Sequence, residues 1–180
     1  MWKTLRQIGR VGLITEPPPA ADEALRLREA LDDRIREVLG RALCIRAVDA
    51  GSCNGCELEI HALENPLHNI EGLGIRFVAS PRHADLLLVT GPVARNMEVA
   101  LRRTYDAMPD PKLVVAVGDC GCSGGIFGES YASRGPVSNV IPVDVAVPGC
   151  PPSPVRILSG ILTAISAPAA SHQDQASARP

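Results

Sequence analysis

Apolar and polar positions follow two periods along this chain. Leu27, Leu31, Ile35 and Val38 fall on one face of an amphipathic helix over 21–39, with Arg, Asp and Glu on the remainder and Gly40 as a stop. From residue 43 short aliphatic runs take over, at 43–48, 75–79, 85–90, 113–117 and 143–147, and each is a candidate strand. Helical stretches lie at 56–64, 93–108 and 153–166, and Pro92 suits the first turn of the second. This order predicts βαβ units and a doubly wound, mainly parallel α/β sheet with helices on both faces. The segment 121–142, rich in Gly, Ser and Pro and carrying Phe127 and Tyr131, reads as a long functional loop.

The two ends read differently. Residues 1–19 are a punctuated leader closing on Pro17, Pro18 and Pro19, with Trp2, Leu5 and Ile8 at helical spacing among Lys3, Arg6 and Arg10. It reads either as a loosely ordered arm or as an arm that docks on a partner or a membrane surface. Residues 167–180 read as a disordered tail. The expected organisation is an arm and helix at 1–40, one domain at 41–166 and the tail at 167–180.

Composition narrows the class. Only 3% of residues are aromatic against 46% apolar, so the core is built from Val, Leu, Ile and Ala, which suits a covered parallel sheet. A net charge of −2 lacks the basic excess of nucleic-acid binders, and no nucleic-acid partner is expected. No secretory signal and no transmembrane run is visible, so a cytoplasmic setting with reduced thiols is expected. Six cysteines in that setting point to metal, cluster or redox chemistry more than to disulfides.

Position matters more than count. Cys53 and Cys56 follow the first predicted strand, Cys120 the fourth and Cys150 the fifth. The carboxyl ends of parallel strands share one edge of the sheet, where ligands bind, so these four residues converge in space. Gly51, Gly55, Gly118, Gly121, Gly124 and Gly149 surround them, and glycine lets backbone N–H groups approach an anion closely. Four converging thiolates make a cluster or metal site. Zinc is the chemical rival, although zinc sites favour two close pairs and the second pair here is split between two strand ends. A thioredoxin-type Cys-x-x-Cys leaves Cys120 and Cys150 without a role, and inert core cysteines are the plainest alternative. Cys44 lies inside an apolar strand and reads as core. Cys122 competes with Cys120, which sits closer to its strand end.

These residues carry a resemblance. G-S-C-N-G-C-E-L-E at 51–59, T-G-P-V at 90–93, P-K-L-V-V-A-V-G-D-C at 111–120 and P-G-C-P-P at 148–152 resemble one superfamily, in order and with matching spacing over 43–166. It contains the small subunits of [NiFe] hydrogenases and the 20 kDa subunit of respiratory complex I. The resemblance implies a flavodoxin-like domain carrying one [4Fe–4S] cluster, with Cys53, Cys56, Cys120 and Cys150 at the matching ligand positions. In the complex I branch the first two cysteines are adjacent and the cluster serves quinone reduction. This chain has Cys-x-x-Cys, as hydrogenase small subunits do, without a twin-arginine leader or the later cysteines of periplasmic uptake hydrogenases. It is therefore similar to the short, membrane-bound group 4 branch: hydrogenase-3, hydrogenase-4 and formate hydrogenlyase small subunits.

The implied partners are a [NiFe] hydrogenase-type or complex I-type large subunit, a ferredoxin-like iron–sulfur subunit and membrane subunits. The implied place is the inner face of the cell membrane, held peripherally through those partners. The expected role is an oxidoreductase subunit relaying electrons. The alternatives are the 20 kDa subunit of a quinone-reducing complex I and a zinc- or cluster-stabilised scaffold without redox function. Glu57 and Glu59, directly after the Cys-x-x-Cys, are candidates for coupled proton movement or plain helix N-terminal acids. Arg95 is a candidate to balance cluster charge or touch the partner, or an ordinary surface arginine. His61 and His68 read as solvated or capping residues, and His83 and His172 are assigned nothing.

Overall fold

The structure is a computed structural model that describes residues 21–166 together with Trp2, Arg6 and Gly9. The expected tail, and most of the leader, lie outside the described residues. Helix α1 spans Ala21–Leu39 and is followed by strand β1, Leu43–Asp49. The chain continues through α2 (Gly55–Ala62), β2 (Ile75–Phe77), β3 (Leu86–Thr90), α3 (Arg95–Asp106), β4 (Leu113–Val117), α4 (Gly118–Ser123), β5 (Val145–Val147) and α5 (Pro154–Ser166).

The five strands form one sheet in the order β2-β1-β3-β4-β5, and every pairing is parallel. This is the expected α/β fold in its flavodoxin-like order, with the strand sequence reversing beside β1 and β3. Alternation along β3 shows how the sheet feeds two cores. Leu86 and Leu88 join α1, α2 and α5 through Leu31, Ile35, Ile60, Ile157 and Ile161. Leu87 and Val89 join Leu101 of α3 with Val137, Val140 and Ile141 on the other face. All five β3 residues are buried, which is why the run LLLVT has no polar alternation.

Several boundaries differ from the sequence expectation for identifiable reasons. Helix α3 begins at Arg95 and not at 93, because the N–H groups of Val93 and Ala94 are drawn to Gly135 O (2.9 Å) and Ala50 O (2.8 Å). Strand β5 begins at Val145 and not at 143. Asp144 caps the edge of β4 instead, its carboxylate accepting from Val114 N at 2.7 Å. The expected loop at 121–142 is only partly a loop. Its first residues belong to α4, Val137–Asn139 form a 3-10 turn, and Ser133, Val137, Val140 and Ile141 are buried. Among the described residues no helix is long and apolar enough to cross a membrane.

Candidate functional site

The carboxyl ends of β1, β4 and β5 each pass into a short, tightly tied loop. After β1, the Asp49 carboxylate accepts from Gly51 N at 2.8 Å and Ser52 N at 2.7 Å, which turns the chain back toward the sheet. Gly91 lies so close beneath that a Cβ there would collide with the backbone of Ser52. Asn54 takes a left-handed conformation (φ 72°) and opens α2, placing Cys53 just before the helix and Cys56 in its first turn. Glu57 fastens this loop to the sheet. Its carboxylate accepts from Ser52 Oγ at 2.5 Å and, through its other oxygen, from the hydroxyl of buried Thr90 at the end of β3.

The other two cysteine loops are stapled to each other. Asp119 N donates to Gly149 O at 2.8 Å, and Gly149 N donates back to the Asp119 carboxylate at 2.8 Å. Cys120 and Cys150 follow one residue after each partner.

Glycine leaves room around the sulfurs. A Cβ on Gly118 (φ +85°) would lie 2.6 Å from Cys56 Sγ. A Cβ on Gly125 (φ +53°) would lie 2.8 Å from Cys120 Sγ, and one on Gly55 3.6 Å from Cys53 Sγ. The space beside these sulfurs is thus kept open by residues without side chains, at backbone conformations that favour glycine at 118 and 125.

The thiols act on one another electrostatically. Burial pushes the Cys56 thiol up to about 12, and Glu57, Cys53, Cys120 and Cys150 push the same way. Burial also raises Cys120, followed by Cys150, Cys53 and Asp119. The structure therefore brings Cys53, Cys56, Cys120 and Cys150 into one electrostatic neighbourhood. Among the described residues no three His, Cys, Asp or Glu side chains are gathered tightly enough to grip a metal ion. Cys122 stands apart: burial raises its thiol, no other cysteine acts on it, and its Sγ faces Ala116 O at 3.6 Å, packed with the second core. Cys44 is buried in β1 and accepts from Arg76 Nε at 3.4 Å.

Other sequence candidates take other places. Arg95 is exposed and its guanidinium donates to Ser130 O at 3.1 and 3.3 Å, pinning the tip of the 124–135 segment. His68 is half-buried and lowered chiefly by that burial, with Glu59 acting in the opposite direction. His61 and His83 are exposed, and His172 lies outside the described residues. Sequence reasoning missed the Asp119–Gly149 staple, whose signal was the acid before Cys120, and Arg46, whose surroundings no local pattern gives.

The comparisons with known proteins agree with this architecture. The family model described as "NADH ubiquinone oxidoreductase, 20 Kd subunit" matches residues 53–164. The "Probable membrane-bound hydrogenase subunit mbhJ" of Pyrococcus furiosus is 45% identical over 77% of this chain and 84% of that protein. Formate hydrogenlyase subunit 7 of Escherichia coli is 43% identical over 82% of this chain, which spans only 57% of that relative. A subunit of the NADH-quinone oxidoreductase of Desulfovibrio desulfuricans is 46% identical over 68% of this chain and 66% of that protein. Among solved structures, a chain of the archaeal membrane-bound sulfane sulfur reductase superposes with a TM-score of 0.61 at 34% identity, over 76% of this chain and 74% of that one. The fold also recurs in an NAD+-reducing [NiFe]-hydrogenase, with a TM-score of 0.54 at 21% identity, over 68% of this chain and 92% of that one. The resemblance read from the four motifs is thereby shown: this chain belongs to the family of the 20 kDa subunit of NADH ubiquinone oxidoreductase.

Proposed function

We propose that this oxidoreductase subunit holds one [4Fe–4S] cluster on Cys53, Cys56, Cys120 and Cys150 and relays electrons to or from the active site of a large subunit. The observation that carries the reading is the shared electrostatic field of four thiols from three strand ends, with glycine beside Cys53, Cys56 and Cys120. The donor set fits the group: four thiols and no competing histidine or carboxylate ligand among their electrostatic partners except Glu57 and Asp119, both already engaged in hydrogen bonds. When bound, the cluster supplies one-electron chemistry. The chain's own residues hold its ligands: Glu57 fixes the Cys-x-x-Cys loop, and the Asp119–Gly149 staple fixes Cys120 relative to Cys150.

The rim also offers a face for a partner. Leu58 on α2 and Ile126, Phe127 and Tyr131 on the 124–135 segment are exposed large apolar residues, Ile126 and Tyr131 at 93%. Contacts from Arg95, Arg134 and Asn139 hold that segment in shape, so little ordering entropy opposes its docking. The relatives belong to membrane-bound hydrogenase, formate hydrogenlyase and quinone oxidoreductase systems. On this reading the chain sits in a membrane-associated assembly with a [NiFe] hydrogenase-type or complex I-type large subunit, a ferredoxin-like subunit and membrane subunits.

The Cys-x-x-Cys spacing favours the hydrogenase branch. A quinone-reducing role is the second reading, because the relatives from the two branches are about equally similar to this chain. Anaerobic purification of the complex with electron paramagnetic resonance tests the relay. A reducible S = 1/2 signal, lost in Cys53→Ser, Cys56→Ser, Cys120→Ser and Cys150→Ser and kept in Cys44→Ser and Cys122→Ser, is the expected result. A colourless zinc-loaded protein would remove the relay, and a signal that survives Cys120→Ser and dies in Cys122→Ser would overturn the ligand set. Hydrogen-dependent dye reduction against quinone reduction by the intact complex decides the branch.

A further inference from the structure

We infer that the open edge of β1 receives an extended segment of a partner subunit, which adds a strand beside β1 and places a carboxylate or main-chain carbonyl on Arg46. This rests on the reading that the chain works inside a multisubunit assembly.

The first observation is a truncated sheet edge. β1 runs to Asp49, but its outer neighbour β2 ends at Phe77, opposite Ile45. Backbone groups of β1 alternate in direction. Even-numbered residues face β3, as in Ala50 N to Thr90 O, and odd-numbered residues face β2, as in Leu43 N to Gly74 O and Val78 N to Ile45 O. Beyond Val78 no strand among the described residues lies beside Ala47 and Asp49, so their outward backbone groups meet a cleft of about 340 Å³ instead. Such an edge is a template for strand addition.

The second observation is independent of the first. Half-buried Arg46 lines the same cleft, and its Nε is buried with no hydrogen-bond partner among the described residues. A buried guanidinium N–H without an acceptor is costly, and native structures supply one. Of the carboxylates lining the cleft, Asp49 is held by Gly51 and Ser52 and Glu57 by Ser52 and Thr90, while exposed Glu64 makes no hydrogen bond to the Arg46 Nε. Water or a group outside the described residues therefore supplies the acceptor for this Nε, and a strand added along the cleft brings one. Ile60, Phe77 and Val78 give the cleft apolar walls for the side chains of an added strand. The cleft opens beside α2, whose first turn holds Cys56, so the inserted segment reaches the same rim as the proposed cluster.

Residue-resolved hydrogen exchange on the intact complex tests this with an internal control. Amides of Arg46 and Val48 point toward β3 and are slow in any case. Amides of Ala47 and Asp49 are slow only where a strand has been added. The expected result is four comparably slow amides in the wild-type complex, faster exchange at Ala47 and Asp49 in Arg46→Glu, and roughly tenfold weaker partner retention in that variant. Ala47→Pro, which removes one outward N–H at an edge position that tolerates proline, is expected to weaken retention likewise. Iron content is expected to stay unchanged in both variants, which separates this inference from the cluster assignment. Ala47 and Asp49 amides that exchange at the rate of unprotected amides in the wild-type complex would overturn it. Retained protection in Arg46→Glu, or protection that this chain shows without a partner subunit, whether from a second copy or from its own remaining residues, would overturn it as well. A chain that purifies with no partner subunit would sink both this inference and the assembly reading.

Discussion

A single methyl group at position 118 gives a sharp test of the glycine-lined cradle. Gly118→Ala places a Cβ 2.6 Å from Cys56 Sγ at a residue with φ +85°. The left-handed backbone costs an L-residue about 1–2 kcal/mol, and forcing extra volume into a packed site costs about 1–3 kcal/mol more. The expected loss is about 2–5 kcal/mol, less than the stability of a typical domain, so the fold persists with the Cys56 sulfur displaced. Gly40→Ala is the matched control, since Gly40 has φ +61° with nothing within 4 Å of the added Cβ. It bears only the backbone cost, which lowers melting by about 2–8 °C. Both variants are assayed in the purified complex by iron and acid-labile sulfide content, paramagnetic resonance and thermal melting. Gly118→Ala is expected to lose most of its iron, whereas Gly40→Ala melts earlier with its iron intact. Full iron and an unaltered spectrum in Gly118→Ala would refute the idea that this glycine makes room for a ligating sulfur. Equal iron loss in the two variants would show a general folding defect instead.

Two further outcomes follow from contacts away from the cysteines. The Arg134 hydrogen bond, 2.6 Å long, holds the Glu98 carboxyl below the ordinary 4.5, with burial opposing. Because the folded value is depressed, this tie is present above pH 4.5 and is lost as pH falls through the folded value. Proteolysis of the 129–134 segment is expected to quicken across that acid range in wild type and to be fast and flat in Glu98→Gln. The same acid profile in both proteins would contradict the assignment. On the other side of the sheet, Gly160→Ala would drive a Cβ into Val147 Cγ2, destabilising by about 1–3 kcal/mol. Val147→Ala in the same chain should recover part of that loss in denaturant unfolding, and strictly additive losses would show that the two residues do not press on each other.

The central strands were legible because β3 and β4 are aliphatic runs buried on both faces. The pattern of β3 and β4 therefore needs no partner information. What could not be read were features set by distant backbone. The start of α3 is delayed because Ala50 O and Gly135 O, both remote in sequence, capture two N–H groups. Helix α4 was invisible because G-D-C-G-C-S carries no apolar period, yet its turn is fixed by the Asp119–Gly149 pairing across 30 residues. That the cysteine loops lie on one edge of the sheet was legible from topology alone, since parallel strands expose their carboxyl ends there. Arg46 was not, because no local pattern shows that β2 stops at Phe77 or that this buried Nε is left without a partner among the described residues.

The different surroundings of Cys120 and Cys122 follow from one backbone angle. In a strand, residues two apart point to the same face. Had β4 run on through position 122, both sulfurs would have faced the rim together or turned away together. Gly118, with φ +85°, ends the strand at Val117 and starts α4 at once. On a helix, two residues are separated by about 200°. Cys120 therefore turns toward Cys53 and Cys150 while Cys122 turns to Ala116 O and the second core. The sequence argument rested on proximity to the strand end, whereas helical phase is what separates the two side chains in the structure. The glycine that makes room for the Cys56 sulfur is the residue that sets this phase.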